Sequence, residues 1–258
     1  MGDALAGNHN TTQSWREASK REDYERDGYC VVPKLFEPAE CQAWKGEALR
    51  VLRECAGPRS TVYVGAAAAS PSFYALASDP RLVAVLHELM PHGVAFLSDK
   101  IVFKSGTKKF ATPWHYDAAY WPDTRPKLSV WIALNRVHET NGALKVLPGS
   151  HRRSWQNTEG DVAATNDEFP TVVAPQWNAD EERICSLPQG GVIVFSDRLL
   201  HASCPNTDGG ERYSLISTYH APAPDEAFDQ HFPARHVITS HLQSSPIHSP
   251  RNSRRAQA

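Results

Sequence analysis

The hydrophobic pattern of this chain changes near residue 94, and that change constrains the fold more than any other feature. Before it, apolar residues recur at helical spacing, which predicts helices over residues 15–27, 38–55 and 80–90 and one strand over 29–33. After it, short apolar segments alternate with turns rich in glycine, asparagine and proline, a pattern typical of β-strands. Helices followed by a series of strands predict a mainly β domain with flanking helices.

The predicted strands of the second part cover residues 95–104, 114–118, 128–135, 142–146, 192–195 and 213–220. Such a series favours a double-stranded β-helix (a jelly roll, cupin-like) with the N-terminal helices as a buttress. We predict a single domain over residues 15–240. Residues 1–14 and 241–258 are polar and lack hydrophobic periodicity, so we predict that both termini are disordered.

Composition narrows the class of protein. The chain of 258 residues is 41% hydrophobic and has a formal net charge of −2, which gives no reason to expect nucleic acid or an anionic membrane as a partner. No apolar run approaches the ~20 residues needed to cross a bilayer. Its five cysteines are odd in number and show no paired spacing, so we expect reduced thiols and a cytoplasmic protein.

His115 and Asp117 are the residues of greatest chemical interest. They stand two positions apart in the segment PWHYDAAYW, so on a strand both side chains would point to the same face. His201, in the segment LLHASCPNTDGGERYS, would complete a set of two imidazoles and one carboxylate. This set leaves coordination positions open and is typical of non-haem Fe(II) sites that bind a cosubstrate and O₂.

Arg212 lies eleven residues after His201, a distance that allows a short loop and the return into the next strand. Its planar guanidinium is suited to bind the far carboxylate of a 2-oxo acid. The alternative is a surface ion pair with the neighbouring Glu211 or Asp208.

These residues and their surroundings resemble the phytanoyl-CoA dioxygenase family of Fe(II)/2-oxoglutarate-dependent oxygenases. The similar segments are REDYERDGYCVVPKLFEPAEC, SVWIALNRVHETNGALKVLPGSHR and GGVIVFSDRLLHAS, and the resemblance extends over residues 24–221. It implies the jelly-roll fold and Fe(II) bound by His115, Asp117 and His201. It also implies 2-oxoglutarate with its 5-carboxylate on Arg212, O₂ as the oxidant and ascorbate as a stimulant.

Other residues follow from the same resemblance. Ser203, two residues after His201, would donate a hydrogen bond to the 5-carboxylate. Lys104 corresponds to a lysine of the family and would orient the cosubstrate or the substrate, although a solvated lysine at a strand end is an equal alternative. The amide residue that the family usually has near Val102 is not evident here. Relatives that transfer chloride have a small residue in place of Asp117, so the carboxylate favours oxygen transfer.

The residues that would contact the substrate are less well defined. Tyr120 and Trp121 follow Asp117 where the chain should leave the barrel rim, and we predict that they line the pocket; packing under the rim is the alternative. The long polar segment 152–184 is predicted to be a lid that carries Trp155 and Trp177 towards the substrate. The alternative is a surface excursion far from the site.

The resemblance implies hydroxylation of an unactivated C–H bond of a small-molecule metabolite, natural-product or amino-acid-like, with release of succinate and CO₂. Desaturation, cyclisation or epoxidation by the same oxidising chemistry, and hydroxylation of an acyl-CoA, stay open. A jelly-roll binding module without catalysis is a further alternative, but such a module should have lost a ligand or the arginine. The sequence predicts neither the substrate nor the oligomeric state.

Overall fold

The computed structural model of the chain describes residues 19–57, 59–121, 125–156, 158–159, 171–222 and 232–240. The predicted disorder of residues 1–14 and 241–258 lies outside these residues, as does the middle of the predicted lid. The domain limits given above therefore stay a prediction.

Within the described residues, five α-helices precede or interrupt the first strands. Prolines begin three of them, where the missing N–H costs no hydrogen bond. The helices are α1 (Lys20–Asp27), α2 (Pro38–Val51), α3 (Ala66–Ala69), α4 (Pro71–Ala77) and α5 (Pro80–Leu89). The predicted helices correspond to α1, α2 and α5; α2 continues into a π-helical turn over Leu52–Ala56. The short helices α3 and α4 were not predicted, since neither is long enough to show a helical period.

Thirteen β-strands are found in the described part of the chain. The first six are β1 (Tyr29–Val32), β2 (Val62–Val64), β3 (Gly93–Lys104), β4 (Thr112–His115), β5 (Lys127–Ala133) and β6 (Leu144–Val146). The others are β7 (Thr158–Glu159), β8 (Thr171–Val172), β9 (Arg183–Cys185), β10 (Val192–Ser196), β11 (His201–Ser203), β12 (Arg212–His220) and β13 (His236–Ser240).

Two antiparallel sheets form the body of the domain. The larger has the order β1-β10-β5-β12-β3-β13, with β2 paired to β3. The smaller has the order β4-β11-β6-β9, and β7 pairs with β8 alone. Because sequence neighbours alternate between the two sheets, the chain winds as a jelly roll, and the predicted mainly β fold with N-terminal helices is confirmed.

The larger sheet is covered on both faces. In β5, Val130 and Ile132 pack with the helices, whereas Trp131 and Ala133 belong to the apolar cluster between the sheets. The other central strands follow the same alternation. Burial on both faces explains why segments such as LSVWIA and VIVF are almost continuously apolar.

The strands missed from the sequence are the short ones. β2, β9, β11 and β13 have three to five residues each, too few for an alternating pattern to stand out. The strand predicted over residues 114–118 was misplaced, since β4 ends at His115 and Asp117 begins a 3₁₀ turn. Residues 183 and 184, assigned to the predicted lid, belong to β9 and pair with β6.

All five cysteines are unpaired, and four of them are buried. Among the described residues, no helix combines the length and the apolar composition that a membrane span requires.

A tight approach of two chain segments fixes the start of β10. Gly190 has a φ of +82°, and a Cβ placed there would lie 2.0 Å from the backbone oxygen of Phe36. The Gly190 carbonyl also accepts hydrogen bonds from the backbone N–H groups of Leu35 and Phe36. Only a glycine therefore fits between the larger sheet and the chain that leads into α2.

We predict that Gly190→Ala destabilises the protein more than Gly209→Ala. Gly209 has a similar φ of +84° but open space around its Cβ position, so its substitution costs only the backbone strain of about 1–2 kcal/mol. Gly190→Ala should lose roughly 1–3 kcal/mol more, because the Phe36 backbone must move. Urea unfolding of both variants measures the difference; equal losses would contradict the steric explanation.

Candidate active site

The two candidate histidine ligands lie opposite each other on neighbouring strands of the smaller sheet. His115 is the last residue of β4, His201 is the first residue of β11, and the two are register partners. Tyr116 is extended, so Asp117 returns to the side of His115 although it lies in the 3₁₀ turn. The Asp117 Oδ1 atom lies 3.8 Å from Nε2 of His115 and 3.7 Å from Nε2 of His201. All three ligand atoms lie within 4.8 Å of one another, a separation that one metal ion can span.

Hydrogen bonds outside this triad orient it for a metal. Nδ1 of His115 lies 2.8 Å from the Pro113 carbonyl oxygen, and Nδ1 of His201 lies 2.9 Å from that of Leu199. A carbonyl only accepts, so each Nδ1 donates its hydrogen and each Nε2 keeps a lone pair for a metal. The Ser129 hydroxyl donates to Oδ2 of Asp117 at 2.7 Å and leaves Oδ1 directed at the imidazoles.

The electrostatics of the triad favour the protonation states that bind a cation. Burial, and then the adjacent His201, lowers the pKa of His115 to about 3, and burial lowers the pKa of His201 as well. Burial alone raises the pKa of Asp117, but His201, Lys100, His115 and the Ser129 hydrogen bond together lower it to about 2. At neutral pH the site therefore holds two neutral imidazoles and one carboxylate, a donor set that fits Fe(II).

A second group of buried polar residues lies farther along the larger sheet. Arg212 and Lys104 are register partners on β12 and β3, and both are almost completely buried. The Arg212 guanidinium donates to the Ser214 hydroxyl at 2.6 Å and lies over the Trp131 ring, but its Nε has no partner among the described residues. Like charges directly opposite each other on a sheet are unfavourable, so this pair indicates a site for an anion.

Burial lowers the pKa of both basic side chains. It lowers the pKa of Arg212 to about 9, and burial followed by the charge of Arg212 lowers the pKa of Lys104 to about 6. The surrounding backbone is close: a Cβ on Gly142 would lie 2.7 Å from Cδ of Lys104 and 3.4 Å from Nη2 of Arg212. The alternative of a surface ion pair for Arg212, considered above, does not agree with its burial.

Ser203 connects this anion site with the metal triad. Its hydroxyl oxygen accepts from Nζ of Lys104 at 2.7 Å and from the backbone N–H of Thr112 at 3.1 Å. Both of its lone pairs are then used, and only its own hydrogen is left to donate. Lys104 donates a second hydrogen bond to the Cys204 carbonyl, so it is not the solvated strand-end lysine of the alternative.

A cavity of about 520 Å³ connects the metal triad with Arg212. Its wall includes the metal triad, Ser203 and Arg212, and the side chains around them are mainly apolar. The apolar residues of the lining include Val102, Phe110, Trp131, Leu144, Ala202 and Ile216. Tyr120 and Trp121 also line the cavity, and their contact with a substrate stays a prediction.

Trp155 and Trp177 are not among the described residues that line this cavity. The Trp177 ring packs edge-on against Trp114 and Trp155, in an apolar cluster with Leu147 and Leu200. Trp114 precedes His115 and points to the opposite face of β4, so the two tryptophans pack behind the ligand-bearing strand. The expectation that they face the substrate disagrees with this placement, because strand alternation separates them from the metal side.

Four residues of the site were missed in the sequence. Ser129 and Trp131 lie on the cavity face of β5, Ser214 lies on that of β12, and Lys100 lies on that of β3. No candidate site residue lay on β5 to indicate Ser129 and Trp131. For Ser214, two positions from Arg212, and Lys100, four positions from Lys104, the available signal was strand alternation. It was hidden because these strands are apolar on both faces.

Comparison with known proteins places this arrangement in a family. The family model of phytanoyl-CoA dioxygenase (PhyH) matches residues 24–214. Ectoine dioxygenase of Bordetella bronchiseptica is 27% identical over 79% of this chain and 75% of its own length. Human peroxisomal phytanoyl-CoA dioxygenase is 26% identical over 79% of this chain and 68% of its own length.

Solved structures agree on the fold. The epimerase SnoN, crystallised with Fe³⁺, alpha ketoglutarate and nogalamycin RO, superimposes with a TM-score of 0.68 at 22% identity and covers 81% of this chain and 91% of its own. Since the family model spans most of the chain and the jelly roll holds a His-Asp-His triad, the chain belongs to the phytanoyl-CoA dioxygenase (PhyH) family and is an Fe(II)/2-oxoglutarate-dependent dioxygenase.

Proposed function

We propose that this enzyme hydroxylates an unactivated C–H bond of a small-molecule metabolite, with Fe(II) held by His115, Asp117 and His201. The observation that carries the proposal is the position of two buried basic side chains near the triad. Arg212 lines the same cavity, and Lys104 lies opposite Arg212 and donates to Ser203 of the cavity wall. The triad fits a divalent metal, and the two basic side chains fit a carboxylate. 2-Oxoglutarate is a cosubstrate that needs both.

The metal, when bound, supplies the activation of O₂ and the oxidative decarboxylation of 2-oxoglutarate to succinate and CO₂. The chain itself supplies geometry. Ser129 and the carbonyls of Pro113 and Leu199 keep the three ligands in one orientation, which lowers the cost of assembling the site.

Arg212, Lys104 and Ser203 would bind the 5-carboxylate of 2-oxoglutarate. The guanidinium is kept in place by Ser214 and Trp131, so little side-chain freedom remains to be lost on binding. The hydroxyl of Ser203 has only its hydrogen left to offer, which suits a carboxylate acceptor. In this apolar wall a charge-assisted hydrogen bond is stronger than in water.

The apolar wall protects the reaction from water. The cavity volume of about 520 Å³ is suited to a small molecule together with the cosubstrate. Tyr120 and Trp121 would contact the substrate, since they line the cavity beside Asp117. The relatives include an ectoine dioxygenase and a phytanoyl-CoA dioxygenase, and the described residues that line the cavity include no cluster of basic side chains for the phosphates of a CoA ester. We therefore propose a free metabolite.

The first test follows oxygen from O₂ into succinate, which requires no knowledge of the substrate. With Fe(II), 2-oxoglutarate and ¹⁸O₂, the purified enzyme should form succinate that carries one labelled oxygen atom. Each single alanine substitution of a ligand should lower the affinity for iron by at least about tenfold, since even the loss of an outer hydrogen-bond partner costs that much. The three variants are His115→Ala, Asp117→Ala and His201→Ala.

His138→Ala is the matched control, because His138 pairs with Asp208 outside the cavity and should keep its iron. Iron content is measured by elemental analysis and the label by mass spectrometry. Unlabelled succinate from the wild-type enzyme, or full iron content in any one of the three variants, would contradict the assignment.

The second test concerns Arg212. Arg212→Ala should weaken 2-oxoglutarate binding by about 2–5 kcal/mol, because it leaves a desolvated carboxylate without its partner. This corresponds to roughly one and a half to three and a half decades in Kd at ~1.4 kcal/mol each. Anaerobic calorimetry measures Kd, with exposed Arg136→Ala as the control. Wild-type affinity in Arg212→Ala would place the carboxylate elsewhere.

The third test uses the lowered pKa of Lys104. At pH 7.5 the free enzyme holds this amine mostly neutral, since its pKa is about 6. A bound carboxylate favours the ammonium form, so 2-oxoglutarate binding should take up a proton at pH 7.5 and should not at pH 5, where Lys104 is already charged. Calorimetry in buffers of different protonation enthalpy detects this uptake, and Lys104→Met should abolish it. Uptake that persists in Lys104→Met would assign the proton to another group.

A further inference from the structure

Lys100 is a cationic residue of the cavity that the proposed reaction does not use. It lies on the inner face of β3, in line with Val102 and Lys104, and its register partners are Ile216 on β12 and Val64 on β2. Lys100 lies four positions before Lys104, about 13 Å at the usual rise. Lys100 lines the cavity, whereas Lys104 is buried behind its wall.

The charge of Lys100 is directed towards the metal triad. Its positive charge contributes to the lowered pKa values of His115, His201 and Asp117. Yet no carboxylate of the described residues lies within ion-pair distance of Lys100. Within the described part of the chain, Lys100 thus lines the cavity of the reaction centre without a counter-ion.

Binding of the metal and cosubstrate leaves this charge unmatched. The two positive charges of Fe(II) are balanced by Asp117 and by the first carboxylate of 2-oxoglutarate. The second carboxylate meets Arg212. No negative charge of the loaded site is left for Lys100, so an anion that arrives with the substrate would be the first partner available to it.

The side chains around Lys100 are apolar. Val64 and Ile216 are its register partners, Val62, Tyr120 and Trp121 line the same cavity, and Val64 is 65% exposed at its edge. Lys100 itself is half-buried, and contact with an apolar wall strengthens its interaction with an anion. The surroundings suit a ligand whose body is apolar and whose charge is confined to one end.

We propose that Lys100 determines specificity by binding a single anionic group, a carboxylate in its simplest form, of an otherwise apolar substrate. This inference rests on the proposed function, because the loaded metal and 2-oxoglutarate define the space that the substrate enters. It adds the substrate class: a small organic acid oxidised at a carbon beyond its charged end.

The experiment compares two probes of equal shape, octanoate and octanamide. The enzyme is loaded with Mn(II), which does not turn over, and with saturating 2-oxoglutarate. Calorimetry gives the affinity of each probe, and the paramagnetic broadening of probe protons by Mn(II) reports whether the probe lies in the cavity. Octanoate should bind at least about tenfold more tightly than octanamide, as expected for one hydrogen bond to a charged group.

The variants assign this preference to one side chain. Lys100→Met should bind both probes equally, and Lys100→Arg should keep the preference for octanoate. Lys109→Met is the matched control, since Lys109 is exposed and carries the same charge outside the cavity, and it should behave as the wild type. The affinity for 2-oxoglutarate, measured on the same samples, should be unchanged in all three.

Three results would overturn the inference while the proposed function stands: equal binding of both probes to the wild type, a preference that survives Lys100→Met, or no broadening of either probe. Weakened binding of 2-oxoglutarate in Lys100→Met would also overturn it, because the lysine would then serve the cosubstrate. Failure of the wild type to bind 2-oxoglutarate would instead refute the proposed function itself.

Discussion

Two basic side chains, Arg212 and Lys104, are buried opposite each other without a carboxylate within ion-pair distance among the described residues, and much of the site depends on this arrangement. Burial of a charge is costly unless a partner compensates it. Here the compensation is partial: Ser214, Ser203 and the Cys204 carbonyl accept hydrogen bonds, and an aromatic ring covers the guanidinium. The remainder is available to a ligand. A site that is unfavourable when empty gains most from an anion, and this supports the proposal that an otherwise apolar cavity binds a carboxylate of 2-oxoglutarate here.

The jelly roll makes this arrangement possible because each of its two sheets positions one part of the site. The smaller sheet brings His115 and His201 together as register partners, and the larger sheet pairs Arg212 with Lys104. Ser203, on the smaller sheet, joins the two groups through its hydrogen bond from Lys104. Chain segments about a hundred residues apart therefore form one site. Any slip of one residue in these strands would turn the same side chains away from the cavity.

The sequence was most informative where patterns were long and least informative where they were short. The order of helices and strands, and the helices α2 and α5, were predicted within a few residues. The strand predicted through Asp117 was wrong in its end, yet the aspartate still reaches the triad because Tyr116 is extended. For Trp155 and Trp177, sequence position suggested a substrate contact. Packing against Trp114 instead placed them behind β4, since which face a side chain takes depends on the local register.

The sequence by itself determined the identity of the chemistry: a family motif with two histidines, an aspartate and an arginine at fixed spacing, within a chain whose pattern favours a jelly roll. Those properties are local or depend on residue type, so the amino-acid sequence alone contains them. Only the tertiary structure decided that Ser129 orients Asp117, that Lys104 is buried opposite Arg212, and that Lys100 lines the cavity of the triad with no carboxylate of the described residues in ion-pair distance. Such facts depend on strand register and on burial from both faces, and these are set by contacts between segments that are distant in the chain.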